Sequence, residues 1–522
     1  MKIINKYIGV SLLSLVMTGT FISCDSYLDK LPDNRTELHN PTDVSNLLVS
    51  AYSDRHPAYL LEMESDNTDA NINTAWTYGS RFQEQAYLWS DITEISDDET
   101  PQQLWESYYK AVASANVVIQ YINSQNAADY TAQMGEALMC RAYAEFMIST
   151  IFCNAYDETT ASKEMGVPYP TEPETAVGVK YDRSTLNDLY EKIDADLQNG
   201  LSLVQDNYSS PKFHFNRTAA YAFATRFYLY YHKYDKVVEY ATKALGSSPV
   251  NKLRDWAAWD ALSKNKQIQP NAYVNSNVTA NFLLQSVYSE WGVAGGPYNY
   301  GQKYTHNKLI ASTETIGSTG PWGSAGYLYY GNFSNDDLSV ICIRKLLYNF
   351  ETTDVVSKTG YAHGQIVDFD AEETLLCRAE AYALQHQYQN AVDDINILLS
   401  KFSNGRSVTL DGIVKFYNNM DYYTPDAPTP KKKFNTTFNI EPTIEEPLLQ
   451  CILHLRRIIT IHEGLRWQDI KRYGIEIYRR QIDSNGSLMT VTDKLPATDP
   501  RRAIQLPQDV ISAGMTPNPR NK

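Results

Sequence analysis

The chain has 522 residues, of which 43% are hydrophobic and 20% are charged, and its formal net charge is −15. This length fits several ordinary domains or one large helical assembly with insertions. The acidic charge argues against nucleic acid as a partner.

Residues 1–23 have the features of a bacterial targeting segment. Lys2 and Lys6 precede an apolar run over residues 7–17, which is too short to span a bilayer comfortably. The segment ends in Phe21-Ile22-Ser23-Cys24, which is similar to a lipobox. We therefore predict cleavage before Cys24 and anchoring by acyl chains on Cys24, with a plain secretory peptide as the alternative. Loss of both lysines leaves 44 basic and 61 acidic side chains, a net charge of −17.

Apolar residues at three- and four-residue spacing predict about four helical hairpins after this segment. In the hairpin at 215–249, small alanines and aromatic rings share one face of each helix, and Gly246 and Pro249 end the second helix. A long amphipathic helix is predicted at 184–204. The other predicted hairpins cover residues 103–152, 369–399 and 448–473. This pattern is typical of tetratricopeptide-like repeats, so the predicted fold class is all-α dominated, with one large irregular insertion.

Residues 251–370 are predicted to be that insertion because they lack helical periodicity and are rich in Gly, Asn and aromatic side chains. Loops this long are usually functional or disordered, and the density of aromatic rings argues against disorder. We therefore expect a ligand-binding insertion between an N-terminal helical part at 24–250 and a C-terminal helical part with an extended tail at 371–522.

The sequence offers little support for catalysis, metal or cofactor chemistry. Residues 69–73 start like a calcium loop, but Thr74 and Ser80 occupy the positions that need Gly and an acidic residue. The spacing of a zinc protease, a phosphate-binding loop or a serine hydrolase motif is absent. The five cysteines after Cys24 are widely spaced and indicate buried thiols. We predict a protein without catalytic residues, metal or cofactor.

One charged cluster lies on the last predicted hairpin. Arg466, Asp469 and Arg472 are spaced by three residues, so Asp469 can pair with either arginine. The cluster fits either an anion clamp or a buried ion-pair network that fixes the hairpin, and the second interpretation is favoured.

Two stretches carry the side chains that a sugar site needs, namely flat rings for stacking and polar groups for hydrogen bonds. They lie at residues 66–89 and 291–330, and Trp76 and Trp322 are the strongest candidates. The alternative is that half or more of these rings only pack the insertion onto the helices. The candidate ligand residues are Asn73, Trp76, Tyr78, Arg81, Trp291, Tyr298, Trp322 and Tyr327.

The order of motifs along the chain resembles the SusD/RagB-like nutrient-uptake lipoproteins of Bacteroidetes-type outer membranes. The matching motifs are the lipobox with DSYLD at 25–29, GEALMCRAYAEF at 135–146, MGVPYP at 165–170, YDRSTLNDLYEKIDADL at 181–197, the hairpin at 215–249, EETLLCRAEAYAL at 372–384, EGLRWQDIKRYG at 463–474 and LPQDVISAGMTPNPR at 506–520. The resemblance covers nearly all of the chain after Cys24 except the insertion.

This resemblance implies a helical-repeat lipoprotein that is tethered to the outer membrane and faces the cell exterior. It implies a TonB-dependent, SusC-like transporter as partner and a glycan fragment as ligand, which the protein binds without catalysis. Two alternatives keep the fold, a protein that binds oligopeptides and a helical-repeat scaffold that binds only other proteins.

Overall fold

A computed structural model describes residues 38–72, 79–176, 179–264, 267–296, 303–335 and 339–520. In the N-terminal part the helices are α1 Pro41–Leu48, α2 Ala58–Glu64, α3 Arg81–Tyr87, α4 Pro101–Asn123, α5 Thr131–Phe152, α6 Leu186–Leu203, α7 Arg217–Tyr230 and α8 Tyr234–Leu245. Further along the chain are α9 Trp256–Asp260, α10 Ile268–Tyr273, α11 Trp291–Ala294, α12 Lys308–Thr313, α13 Ala371–Leu384, α14 Tyr388–Phe402, α15 Leu410–Asn418, α16 Glu445–Ile459, α17 Leu465–Arg472 and α18 Gln508–Ser512.

The hairpin predicted at 215–249 is formed by α7 and α8. The Asn216 side chain caps α7 by accepting the Ala219 N–H at 3.1 Å. His232 takes a left-handed conformation (φ 57°) at the turn between the two helices, and Gly246 (φ 70°) ends α8. The predicted hairpin is therefore confirmed, with its ends where the sequence placed them.

The other predicted hairpins are formed by α4 with α5, by α13 with α14, and by α16 with α17. The α13–α14 turn repeats the geometry of the α7–α8 turn, since His386 also has a positive φ of 59°. The α5 and α6 axes approach closely at Gly135, where a Cβ atom would lie 2.7 Å from the backbone nitrogen of Val204. Helices dominate the described chain, which confirms the predicted fold class.

Strands that the sequence pattern did not predict lie mainly in the segment 251–370. The strands are β1 Asp69–Asn71, β2 Asn281–Tyr288, β3 Tyr304–Thr305, β4 Asn332–Asn335, β5 Val340–Ile343, β6 Asn349–Asp354, β7 Thr359–Asp370, β8 Ile477–Ile482 and β9 Leu488–Leu495. They form sheets with the strand orders β3-β1-β8-β9, β2-β7-β6 and β4-β5.

The β2-β7-β6 sheet is antiparallel and is joined directly to the helical repeat. β2 pairs with β7 from Asn281↔Asp370 to Tyr288↔His363. β7 continues into α13 without a loop, because the Asp370 side chain caps that helix by accepting the Glu373 N–H at 2.7 Å. The helical scaffold therefore fixes one end of this sheet.

The five described cysteines are buried and free, as predicted: Cys140, Cys153, Cys342, Cys377 and Cys451. Within the described ranges, no helix combines the length and the apolar character that crossing a bilayer requires.

Candidate functional site

The two stretches predicted to carry ligand residues meet in one sheet. β1 comes from the first stretch and β3 from the second, and they pair at Asp69↔Thr305 and Ala70↔Tyr304. The ring of Tyr87 on α3 stacks on Tyr304, with 4.5 Å between the centroids. The fold therefore brings residues 69–71 of the first stretch next to residues 304–305 of the second, although more than 200 positions separate them.

Polar side chains surround the point where these stretches meet. Arg81 begins α3, which has a capping box between Ser80 and Gln83, and it is exposed and donates to Thr93 Oγ1 at 2.6 Å. Glu84 of the same helix accepts a hydrogen bond from the Tyr304 hydroxyl at 3.2 Å. The helix thus presents an exposed guanidinium next to the paired strands.

Several predicted residues lie outside the described part of the chain. These are Cys24, the predicted lipidation site, and the candidate ligand residues Asn73, Trp76, Tyr78 and Tyr298. They remain predictions from the sequence.

Trp291 was predicted to contact ligand, and the structure corrects this assignment. The side chain is only 4% exposed, and its ring stacks on Tyr59 with 4.6 Å between the centroids. Its indole N–H donates to the backbone oxygen of His462 at 2.9 Å. Both the ring and its polar atom are therefore used inside the protein, where Trp291 joins the insertion to the end of α16.

Trp322, one of the two preferred candidates, is corrected in the same way. Its side chain is 0% exposed, and the ring lies 5.0 Å from the imidazole of His454 on α16. A fully buried ring cannot stack on a sugar. Trp322 and Trp291 therefore support the alternative interpretation, in which rings of the insertion pack onto the helices.

Tyr327 remains available at the surface. It is 37% exposed, and the guanidinium of Arg406 lies 4.1 Å from its ring centroid. Arg406 also donates to the backbone oxygen of Trp322 at 2.8 Å. The cation thus covers part of the Tyr327 ring and holds this loop against the end of α14.

Beneath the β1–β3 pair lies a group of buried, mutually paired charges, which we call the buried charge cluster. Arg480 of β8 donates to Asp69 at 2.8 and 3.0 Å and to Glu314 at 2.9 Å. Arg466 of α17 binds Asp66 through two hydrogen bonds of 2.7 and 2.9 Å. The cluster consists of Asp66, Asp69, Glu314, Lys432, Arg457, Arg466 and Arg480.

Neighbouring cations keep the carboxylates of Glu314 and Asp66 in the buried charge cluster ionised. Burial alone would raise the pKa of Glu314, but Lys432, Arg480 and Arg457 outweigh it and lower that pKa to about 2. Burial opposes ionisation of Asp66 too, yet its arginine neighbours hold its pKa well below the usual range. Burial lowers the pKa of Lys432 to about 8. The cluster holds segments together and has no exposed acid or base.

The charged side chains of the motif at 463–474 also form buried ion pairs. Asp469 lies 3.4 Å from Arg456 Nε and 3.9 Å from Arg472, whereas Arg466 pairs with Asp66 in the buried charge cluster. Arg466, Asp469 and Arg472 are almost completely buried. The interpretation as a buried ion-pair network is therefore confirmed.

Asp69, the first residue of the stretch that resembles a calcium loop, is hydrogen-bonded within the protein. Both oxygens of Asp69 accept hydrogen bonds from Arg480, and Asn307 donates to one of them at 3.2 Å. Among the described residues, no group of three or more His, Cys, Asp or Glu side chains is arranged to hold a metal ion.

Comparison with known proteins finds a family model that matches the N-terminal part of the chain. Residues 26–229 match the model of a SusD-like family described as starch-binding and associating with the outer membrane. No curated protein matches the chain at a significant level.

Solved structures match over nearly the whole chain. A SusD superfamily protein from Bacteroides thetaiotaomicron is 19% identical with a TM-score of 0.63, covering 92% of this chain and 100% of its own. A SusD superfamily protein from Bacteroides fragilis is 16% identical with a TM-score of 0.60, covering 91% and 98%. A SusD-like carbohydrate-binding protein from Bacteroides vulgatus is 15% identical with a TM-score of 0.55, covering 85% of each chain. Residues 26–229 are thus similar to a SusD-like family and the described chain has the fold of SusD superfamily proteins, and both findings support the SusD/RagB-like resemblance of the motifs.

Proposed function

We propose that this protein is a non-catalytic binding lipoprotein that captures oligosaccharides and passes them to a TonB-dependent, SusC-like transporter. The observation that carries the proposal is the match of residues 26–229 to a family described as starch-binding and associating with the outer membrane. A structural relative from Bacteroides vulgatus, described as carbohydrate-binding, supports the same ligand class.

The ionisable groups near the candidate site favour binding over catalysis. General acid–base catalysis needs a carboxyl or imidazole within reach of substrate. Asp66, Asp69 and Glu314 are instead buried and hydrogen-bonded to cations. His306 is buried as well, and burial together with Arg457 lowers its pKa to about 4. These groups fit a rigid support beneath a binding surface.

The proposed ligand surface includes the chain on either side of the β1–β3 pair. Its proposed contact residues are Asn73, Trp76, Tyr78, Arg81, Tyr298 and Tyr327. The insertion at 251–370 supplies the last two of them. Arg81 and Tyr327 support this surface because both are exposed.

The proposed location is the outer face of the outer membrane, with acyl chains on Cys24 as the anchor. Tethering beside a transporter raises the concentration of captured ligand at its entrance without further contacts. We expect Cys24→Ala to move the protein from the membrane fraction to the soluble fraction. Protease digestion of intact cells that express the natural chain tests the orientation, because a protein facing the exterior is degraded.

Isothermal titration of the purified chain without residues 1–23 tests the ligand class. The probes are neutral oligosaccharides of five to seven units, including malto-, cello-, xylo- and manno-oligosaccharides, and a matched set of oligopeptides. Saturable binding to one glycan series supports the proposal. Binding to peptides alone favours the oligopeptide alternative, and silence toward both favours the protein scaffold.

A further inference from the structure

In the β2-β7-β6 sheet, β6 and β7 continue as a two-stranded arm beyond the end of β2. β2 ends at Tyr288, which pairs with His363. Beyond that position β7 pairs only with β6, from Asn349↔His363 to Asp354↔Thr359. A two-stranded ribbon is only marginally stable in water by itself. Large rings that it exposes to solvent add little to folding, so their exposure favours a role in binding.

The strand register divides these rings between two faces of the arm. Residues that pair across strands point to the same face, and successive residues point to opposite faces. Tyr361 is paired with Glu351, and His363 with Asn349 and Tyr288, so these side chains share one face, which we call the Tyr361 face. Phe350 is paired with Ala362 and lies on the other face.

Tyr288 positions the Tyr361 ring and leaves it open to solvent. Tyr361 is 56% exposed and meets Tyr288 edge-to-face, with 5.5 Å between centroids and 70° between ring planes. Tyr288 is fixed in turn by His363 at 4.5 Å and by the guanidinium of Arg55 at 4.5 Å from its centroid. The two tyrosines form an aromatic corner whose outer ring has a free surface.

Hydrogen-bonding groups surround this corner. Arg55 is held by Asp54 Oδ1 at 3.1 Å and by Asp98 at 3.2 Å, and all three side chains are partly exposed. His363 Nε2 lies 3.0 Å from Glu351, whose side chain is mostly exposed. Each carboxylate can accept more hydrogen bonds than these partners use. The Tyr361 face thus combines a flat apolar ring with acceptors and a fixed guanidinium.

We propose that the Tyr361 face is a second binding surface of the protein, and that its ligand is a neutral oligosaccharide. A sugar ring presents an apolar face that fits the Tyr361 ring and a rim of hydroxyls that fits Glu351, Asp98 and Arg55. This inference rests on the proposed function for the ligand class. The contact residues themselves follow from the register and exposure of the arm.

The surrounding charges and the strand edge argue against an anionic sugar and against an added strand as the occupant. Asp54, Asp98 and Glu351 outnumber Arg55 and Lys110, which pairs with Asp54 at 3.7 Å, so an anionic sugar would be repelled. Addition of a partner strand along β6 is disfavoured because a register shift between Thr352 and Asp354 interrupts that edge.

The test is titration of the chain without residues 1–23 with the neutral oligosaccharide series named above. Tyr361→Ala is expected to weaken binding at one of the two proposed surfaces about tenfold, because the stacking ring is lost, and Tyr361→Phe is expected to bind like the natural chain. The matched control is Phe350→Ala, which removes a ring of similar exposure (49%) from the opposite face of the same arm. Thermal denaturation shows whether each variant is folded.

Each result separates this inference from the proposed function. If the natural chain binds a glycan and Tyr361→Ala binds it equally well, the Tyr361 face is not a binding surface, while the proposed function stands. Equal losses in Tyr361→Ala and Phe350→Ala would attribute the effect to the arm's stability and overturn the inference. If the natural chain binds none of the glycans, both proposals fail.

Discussion

Replacement of Arg480 by methionine tests whether the buried charge cluster holds the β1–β3 region in place. Arg480 is 2% exposed and makes three hydrogen bonds to Asp69 and Glu314. Methionine fills similar space without a charge, so Arg480→Met leaves two buried carboxylates without their guanidinium. Breaking a buried pair from one side typically costs about 3–5 kcal/mol of unfolding free energy.

The pKa of Glu314 shows what the three cations around this carboxylate contribute together to stability. Although burial opposes ionisation, Lys432, Arg480 and Arg457 lower this pKa from 4.5 to about 2. At about 1.4 kcal/mol per pH unit, the shift corresponds to roughly 3 kcal/mol of stability. A carboxyl with a lowered pKa contributes this stability above about pH 4.5 and loses it as the pH falls toward 2.

In Arg480→Met the fall of stability with rising pH should become steeper. Burial already raises the pKa of Asp69 despite Arg480, and loss of the guanidinium raises it further. A carboxyl with a raised pKa destabilises the fold as the pH rises, so the variant gains stability between pH 7 and pH 5. The deficit of the variant relative to the natural chain is therefore largest at neutral pH.

Thermal denaturation at pH 5, 6, 7 and 8 measures both effects. For a chain of this length each kcal/mol corresponds to roughly 1 °C, so a shift of about 3–5 °C is expected at pH 7. The control is Arg501→Met. Arg501 pairs with Asp499 and Asp493 but is more exposed than Arg480, so its replacement should cost less than about 1 kcal/mol of unfolding free energy. Equal shifts in both variants, or a deficit that grows on acidification, would refute the reasoning.

Three further predictions concern other buried positions. Trp322→Ala should cost about 3–5 kcal/mol of stability, seen by thermal denaturation, while titration of the folded variant finds unchanged glycan affinity because the ring is fully buried. Burial raises the pKa of Glu99 to about 8, so stability falls as the pH rises from about 4.5 to 8, and Glu99→Gln should flatten denaturation midpoints across that range. Gly135→Ala should cost about 1–3 kcal/mol by overpacking the α5–α6 contact, whereas Gly326→Ala, with open space around it, should leave the midpoint unchanged.

The helical hairpins could be predicted from the sequence because their signal is local. In α7 and α8 the apolar spacing, the Asn216 cap and the terminal Gly246 all lie within one short segment. The strands lack such a signal. β2 has buried residues on both faces, and β1 and β3 are too short to show alternation.

The candidate rings show a second limit of the sequence. Composition located the aromatic segments but could not tell which rings face the core. Trp322 and Trp291 are buried because each meets a residue on or just after α16, more than 100 positions along the chain. The sequence did not predict that Tyr288 and Tyr361 lie together, because only the pairing of β2, β6 and β7 brings them onto one face.

The two proposed ligand surfaces depend on different supports. The β1–β3 region rests on the buried charge cluster, in which each carboxylate is matched to cations from distant segments. A strand slip there would separate Asp69 from Arg480, so the ion pairs help to fix the register. The Tyr361 face rests on β7, which runs directly into α13. Because the supports share no residue, a change in one surface should leave the geometry of the other intact, and ligand contacts on each can be tested separately.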